Sequence, residues 1–417
     1  MQHNLAILGS RPLGEICLPG AFKLELGTNV GGIKSNVITQ TLSIYDQLEH
    51  SVRWFDIRPF LLRQKTSFGR TESNWYCGHF SDLKSPLNWQ GGCGATIDEV
   101  VADVNRFTSE HRELVILDIS HITLLECHVA VMTGMSGGIQ GVLTSGERHE
   151  LLTKLAGIQN RFHAPAGKQL ETFTLDAFIG QRQPAVLVLF GSDSDDLFDE
   201  AELTKREFYR SGRYAVEKHF VTRMQTDKEA VVSSLPVVRW LDPMNNPNSV
   251  LRLADAHQAQ EFPFTLQELA KNGMQAGVIV IDKVEKADLL TLCLAVSLAR
   301  LSPHELVVVY GGICITDGAA RQRVQDAINA RRALDITNSQ CGSDPWELTV
   351  KSLAVVYWHD GWVKARFGTE GTALHFERDF FSIKRDGVET KDQALYYDLW
   401  RAHMMRGGPP DLDSYEG

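Results

Sequence analysis

VRWFDIRPF, Val52 to Phe60, combines strand composition with paired charge. Five of its nine residues (Val52, Trp54, Phe55, Ile57 and Phe60) are apolar and mostly β-branched or aromatic, which predicts a strand. Asp56 and Arg58 are two apart, so a strand turns both to one face. An acid and a guanidinium side by side on such a face read either as a buried structural ion pair or as the wall of a polar site.

Working outward, TIDEVVADVNRFTSEH (Thr96–His111) has apolar residues at helical spacing, and Thr96 with Glu99 makes a capping-box pattern. ELVILDISH (Glu113–His121), PAVLVLFGSDSD (Pro184–Asp195) and AGVIVIDKVE (Ala276–Glu285) are dense apolar runs fit for strands buried on both faces. The helical ADLLTLCLAVSLAR (Ala287–Arg300) follows the last. Dense strands alternating with helices predict βαβ units and a parallel sheet. Three runs end on an acid, Asp118, Asp193 and Asp282. In α/β barrels the chemistry sits at the C-terminal strand ends, although an acid there also serves as a helix cap.

Beyond residue 303 the texture changes. HELVVVYGGICITDG (His304–Gly318) and WELTVKSLAVVYWHDGWVKARFG (Trp346–Gly368) read as strands broken by turns, with a hairpin around the Asp-Gly of YWHDGWVK and one more strand in ALHFERDFFSI (Ala373–Ile383). The expected organisation is an α/β domain over 1–302, a small β-rich domain over 303–405, and a disordered Pro/Gly/acid-rich tail over 406–417.

Composition bounds the function. The formal net charge is −10, which argues against nucleic acid as the main partner. No apolar run approaches the ~20 residues that span a membrane, and the N-terminus lacks a signal-peptide pattern, so a cytoplasmic location is expected. Seven scattered cysteines without a CxxC pair fit reduced, buried thiols rather than disulfides or a zinc site. GSDSDD (Gly191–Asp196) lacks the Gly and terminal Glu of an EF-hand and reads as a solvated loop. His121 and His128, seven apart, read as a surface or satisfied pair, since two ligands do not make a metal site. Neither a metal nor a cofactor is expected, and no nucleotide-binding glycine spacing occurs.

LPGAF (Leu18–Phe22), SVRWFDIRP (Ser51–Pro59), WYCGHFSD (Trp75–Asp82) and the Thr96–His121 stretch, in this order, resemble the X-domain barrel of phosphatidylinositol-specific phospholipases C and their PLC-like phosphodiesterase relatives. Ser343-Asp344-Pro345-Trp346 is similar to a GDPW-like stretch in the C-terminal β unit of fungal PLC-like proteins. The resemblance implies a TIM-type (β/α) barrel that cleaves a phosphodiester with two histidines, one a general base and one an acid. It implies catalytic roles for His79 (the second histidine), Asp56, Arg58, Asp118 and Asp282.

The departure lies at LPGAFKLEL (Leu18–Leu26), where the family's His-Asp is replaced by Phe22-Lys23. Losing one positioned base costs roughly 10²–10⁴-fold in rate. The leading expectation is therefore a repurposed barrel. It would act by acid/base catalysis on a hydrophobic small molecule as an isomerase, cyclase or lyase, with Phe22, Lys23 and Trp240 lining the substrate site. A phosphodiesterase acting on a phospholipid-like substrate through peripheral membrane contact, and a binding-only protein, are the alternatives.

Overall fold

The computed structural model describes residues 2–22, 29–30, 39–65, 70–82, 89–128, 138–216, 218–221, 262–263, 265–267, 269–270, 273–286, 288–302, 304–359, 361–377, 383–385 and 388–390. Lys23, Trp240 and the 406–417 tail lie outside the described residues. The chain divides into two compact units: Met1–Lys218 with Asp242–Arg252 and Ala276–Leu289, and His219–Leu241 with Leu253–Gln275 and Leu290–Gly417.

The first unit is built on β1 (Leu18–Phe22), β2 (Trp54–Ile57), β3 (Pro59–Lys65), β4 (Thr71–Asp82), β5 (Trp89–Thr96), β6 (Leu114–Ile119), β7 (Thr123–His128), β8 (Ala185–Phe190), β9 (Phe208–Arg210) and β11 (Val278–Ile281), and its first segment ends at Lys218, the first residue of β10 (Lys218–Val221). One sheet runs β9-β8-β6-β2-β1-β11-β10. The pairings of β9 with β8, β8 with β6, β6 with β2, β2 with β1 and β1 with β11 are parallel. The dense apolar runs supply its centre: Leu114–Leu117, Ala185–Phe190 and Val278–Ile281 are buried along their whole length, as a sheet covered on both faces requires. The structure is thus α/β with a parallel sheet. Among the described residues no pairing joins β9 to β10, so the sheet is not a closed barrel there.

A second, mostly antiparallel sheet runs Asn29–Val30, β5, β4, β3, β7, Ile139–Gly141. It is fed directly by the first. β2 ends at Ile57 and β3 begins at Pro59, while β6 ends at Ile119 and β7 begins at Thr123. The two strands are neighbours in both sheets, Asp56 opposite Asp118 in one and Phe60 opposite Thr123 in the other. The glycine-rich region from Thr71 to Thr96 carries few of the β-branched residues that mark strands. It is the β4–β5 hairpin, and its glycines are what permit the pairing. A Cβ on Gly91 would lie 2.0 Å from the His79 carbonyl oxygen and 2.7 Å from Phe80 Cα. Helix α1 (Ile97–Glu110) starts where the capping box predicts: Glu99 N–H donates to Thr96 Oγ1 at 3.2 Å, and Thr96 N–H donates to Glu99 Oε2 at 2.7 Å.

In the second unit, Ile313–Cys314, β12 (Val307–Tyr310), β13 (Ser352–His359) and β14 (Trp362–Thr369) form a four-stranded antiparallel sheet in that order. The predicted hairpin is β13–β14, with Gly361 at φ +81° in its turn. Trp346 of the Asp-Pro-Trp stretch donates its indole N–H to the Gly311 carbonyl at 2.7 Å. The unit is not purely β. Helix α2 (Gly318–Asn329) lays Ala320, Val324, Ala327 and Ile328 into a core with Val308, Tyr310, Leu353 and Val355. None of the seven cysteines is in a disulfide, and all but the half-buried Cys314 are buried.

Candidate active site

The C-terminal ends of the parallel strands carry the polar residues. Phe22 on β1 pairs in register with Asp56 on β2, Asp56 with Asp118 on β6, and Asp118 with Leu189 on β8. Paired residues on adjacent strands share a face, so Asp56 and Asp118 point the same way. Asp282 follows Ile281, which pairs with Ala21, so its backbone reaches the same row as Phe22. Asp56, Asp118 and Asp282 are all buried.

Asp56 is fully engaged. Its Oδ2 lies 2.8 Å from Arg58 Nε and 2.7 Å from Arg58 Nη2, and its Oδ1 accepts from Ser120 Oγ at 2.7 Å. Burial pushes its carboxyl up, but the charge and hydrogen bonds of Arg58, with help from Ser120, more than offset this and hold it below the ordinary carboxylate value. Asp56 is therefore a buried anion, and Arg58 is set in one orientation beside it.

His79 reaches this pair from the other sheet. Gly78 N–H donates to the Arg58 carbonyl at 2.9 Å, which brings β4 against the one-residue joint between β2 and β3. Burial, then the Arg58 cation, push the His79 imidazole down from 6.5 to about 4, against the opposing pull of Asp56. At neutral pH the ring is uncharged and can accept a proton.

Asp118 is managed differently. Lys218 Nζ on β10 pairs with its Oδ2, and the same ammonium sits 4.9 Å from the centre of the Trp54 ring. Its Oδ1 is buried without a hydrogen-bond partner among the described residues. Burial, with the nearby Asp56 and Asp193, pushes the Asp118 carboxyl up despite Lys218.

The rim of this region is formed by the three residues between β6 and β7. Ser120 N–H donates to the Ile57 carbonyl at 2.9 Å. His121 Nδ1 lies 2.9 Å from Ser120 Oγ, and the His121 backbone N–H donates to Asp193 Oδ2. Asp193 belongs to the loop read as a mere solvated turn; it holds a backbone in place. Ser120, His121 and Lys218 were missed as site residues. His121 was weighed only for metal spacing with His128, and Lys218 carried no motif. The register of Asp118 with Asp56 was the available pointer to Ser120, two residues on.

Among the sequence-derived candidates, Asp56, Arg58, His79 and Asp118 are brought together by these contacts, and Asp282 by its row. For Phe22 only the backbone position is described. Glu49, Glu110 and His111 could offer three metal ligands within 4.8 Å of one another. His111 is already paired to Glu49 at 2.7 Å, and Glu110 accepts from the Tyr45 hydroxyl at 2.5 Å.

No family model and no curated protein matches the sequence. Solved structures of the phosphatidylinositol-specific phospholipase C of Staphylococcus aureus do match. One, concerned with its membrane binding, is 13% identical with a TM-score of 0.35, over 66% of this chain and 88% of that one. A single-site mutant gives 12% and 0.35, and a double mutant 12% and 0.32, over the same shares. Likeness this slight decides neither fold nor chemistry, and the residues must speak for themselves.

Proposed function

We propose that this chain is an acid/base enzyme acting on an anionic ester of the phosphodiester class, and that its parallel sheet is the wall of a PLC-like (β/α) barrel. The barrel inference draws on strand order. Read around from β1, the sheet passes β2, β6, β8 and β9, then β10 and β11, and returns to β1. That is chain order on a circle, interrupted only between β9 and β10.

The chemistry rests on one observation, the Asp56–Arg58 pair with an uncharged His79 beside it. A guanidinium offers five N–H donors in a planar fork suited to phosphate oxygens, and Asp56 fixes its direction in advance. An anion settling on Arg58 removes part of the positive field that depresses His79, so substrate binding itself strengthens the base. The resemblance assigned His79 the role of acid; its charge state in the free protein suits it to accept a proton instead.

The test is cleavage of the para-nitrophenyl ester of inositol phosphate, with and without chelator. Cleavage that survives chelation and falls about 10²-fold or more in both Arg58→Ala and His79→Gln supports the reading. No cleavage, or cleavage indifferent to both substitutions, ends it. A second reading, proton transfer on an apolar small molecule, is favoured by Phe22, whose backbone stands beside Asp56 where the resembling family carries its base. Turnover of such a substrate, lost in His79→Gln with no phosphodiester cleaved, would select it.

A further inference from the structure

We infer that His121 is the second proton-transfer group of this site, delivering a proton to the leaving oxygen and standing in, from the end of β6, for the histidine that β1 lacks. This rests on the phosphodiester reading above.

Hydrogen-bond direction settles which ring nitrogen works. Asp56 is a buried carboxylate held in its ionised form, so it can only accept. The single proton of Ser120 Oγ is therefore spent on Asp56 Oδ1, at 2.7 Å. The contact from His121 Nδ1 to the same Oγ, at 2.9 Å, then requires the ring nitrogen to donate. Nδ1 carries a fixed proton, and Nε2 is left as the nitrogen that gains and loses one. This is the arrangement that orients a catalytic histidine through its inner nitrogen, here with a hydroxyl between ring and carboxylate.

The residue is also held where a mere surface histidine would not be. Its backbone is left-handed, φ +52°, an uncommon conformation for a residue with a side chain, though histidine is among those that adopt it more often. The His121 N–H donates to Asp193 Oδ2, its carbonyl accepts from Thr123 Oγ1 at 3.2 Å, and its ring is tied to Ser120. With 59% of its side chain exposed, the ring still opens to a ligand. Through Ser120, which bonds both the ring and Asp56 Oδ1, the ring is placed over the same region as Asp56.

In the reaction, His79 takes the proton of the attacking hydroxyl, whether from the substrate or from water. The new O–P bond forms as the P–O bond to the leaving group breaks, and the leaving oxygen takes the proton of His121 Nε2. His79 then releases its proton to solvent and His121 regains one, so protons balance over the cycle. Arg58 holds the phosphoryl oxygens throughout.

The experiment compares two esters with the same inositol phosphate and different leaving groups. Para-nitrophenolate departs without a proton, whereas the diacylglycerol alkoxide of phosphatidylinositol needs one. His121→Gln is expected to lower the ratio of phosphatidylinositol cleavage to nitrophenyl-ester cleavage by about 10²-fold, while His79→Gln lowers both rates together. Ser120→Ala, which keeps the ring and cuts its link to Asp56, should lower the ratio in the same direction but by less. An unchanged ratio in His121→Gln overturns the inference. So does a wild-type protein that cleaves the nitrophenyl ester but not the lipid; that result leaves the proposed function standing. If neither ester is cleaved, both fall together.

Discussion

Asp56 and Asp118 stand opposite each other on neighbouring strands, and their relative exposures are 7% and 6%. Asp56 faces a guanidinium set by two contacts and a hydroxyl, so both of its oxygens are used and its proton is released easily. Asp118 has one ammonium, one oxygen without a partner among the described residues and two acids nearby, so it holds its proton more tightly. Depth alone would push both the same way. The number and charge of partners decides the sign.

The comparison can be broken most strongly at Arg58. Arg58→Ala leaves a buried carboxylate without its counter-ion and should cost about 3–5 kcal/mol in urea unfolding. A loss below about 1 kcal/mol would show that Ser120 alone satisfies Asp56. Arg58→Lys should recover only part, because an ammonium cannot reproduce the planar contact.

His79 sharpens it through pH. Its folded value, about 4, lies below the ordinary 6.5, so between these limits the unfolded chain binds the extra proton. The wild type should therefore lose stability as pH falls from 6.5 to 4, and the penalty is complete below 4. At about 1.4 kcal/mol per pKa unit, the shift amounts to about 3 kcal/mol. His79→Gln does not titrate, so the stability difference between the two proteins should change by up to that amount across the window. Parallel curves would mean that His79 is not shielded from solvent as its surroundings imply.

The smallest effects test the two carboxylates directly. Ser120→Ala makes Asp56 resemble Asp118, with one oxygen unserved, and should cost about 1 kcal/mol. Asp118→Asn removes a charge that burial disfavours, and the Lys218 ammonium it leaves is 27% exposed and still lies over the Trp54 ring, so the change should alter stability by no more than about 1 kcal/mol. A large loss on Asp118→Asn, exceeding that of Ser120→Ala, would invert the comparison.

Much of this was legible because it is local. Two-residue spacing put Asp56 and Arg58 on one face, the capping box marked Thr96, and Asp-Gly marked the hairpin after His359. What was not legible depends on partners far away in the chain. Lys218 reaches Asp118 across 100 residues, and Ser120 reaches Asp56 across 64. The β4–β5 hairpin hid because its pairing relies on glycines, which on their own signal turns. Helix α2 hid because its apolar face is made largely of alanine and valine among charged residues.

The joint between β2 and β3 has a consequence for how the chain can tolerate length changes. Arg58 alone separates strands that lie in different sheets. Phe60 and Leu62 face one cluster with Phe80 and Leu125, while Arg63, the next residue after Leu62, turns to the other face and meets Glu126 and Glu147. A single inserted residue would turn every following side chain over, sending Arg63 into the apolar cluster and Phe60 out of it. Related chains are thus free to vary loop lengths elsewhere, but the interval from Asp56 to Phe60 should accept neither insertion nor deletion. That fixed interval is a ruler by which true relatives can be recognised even where identity has faded.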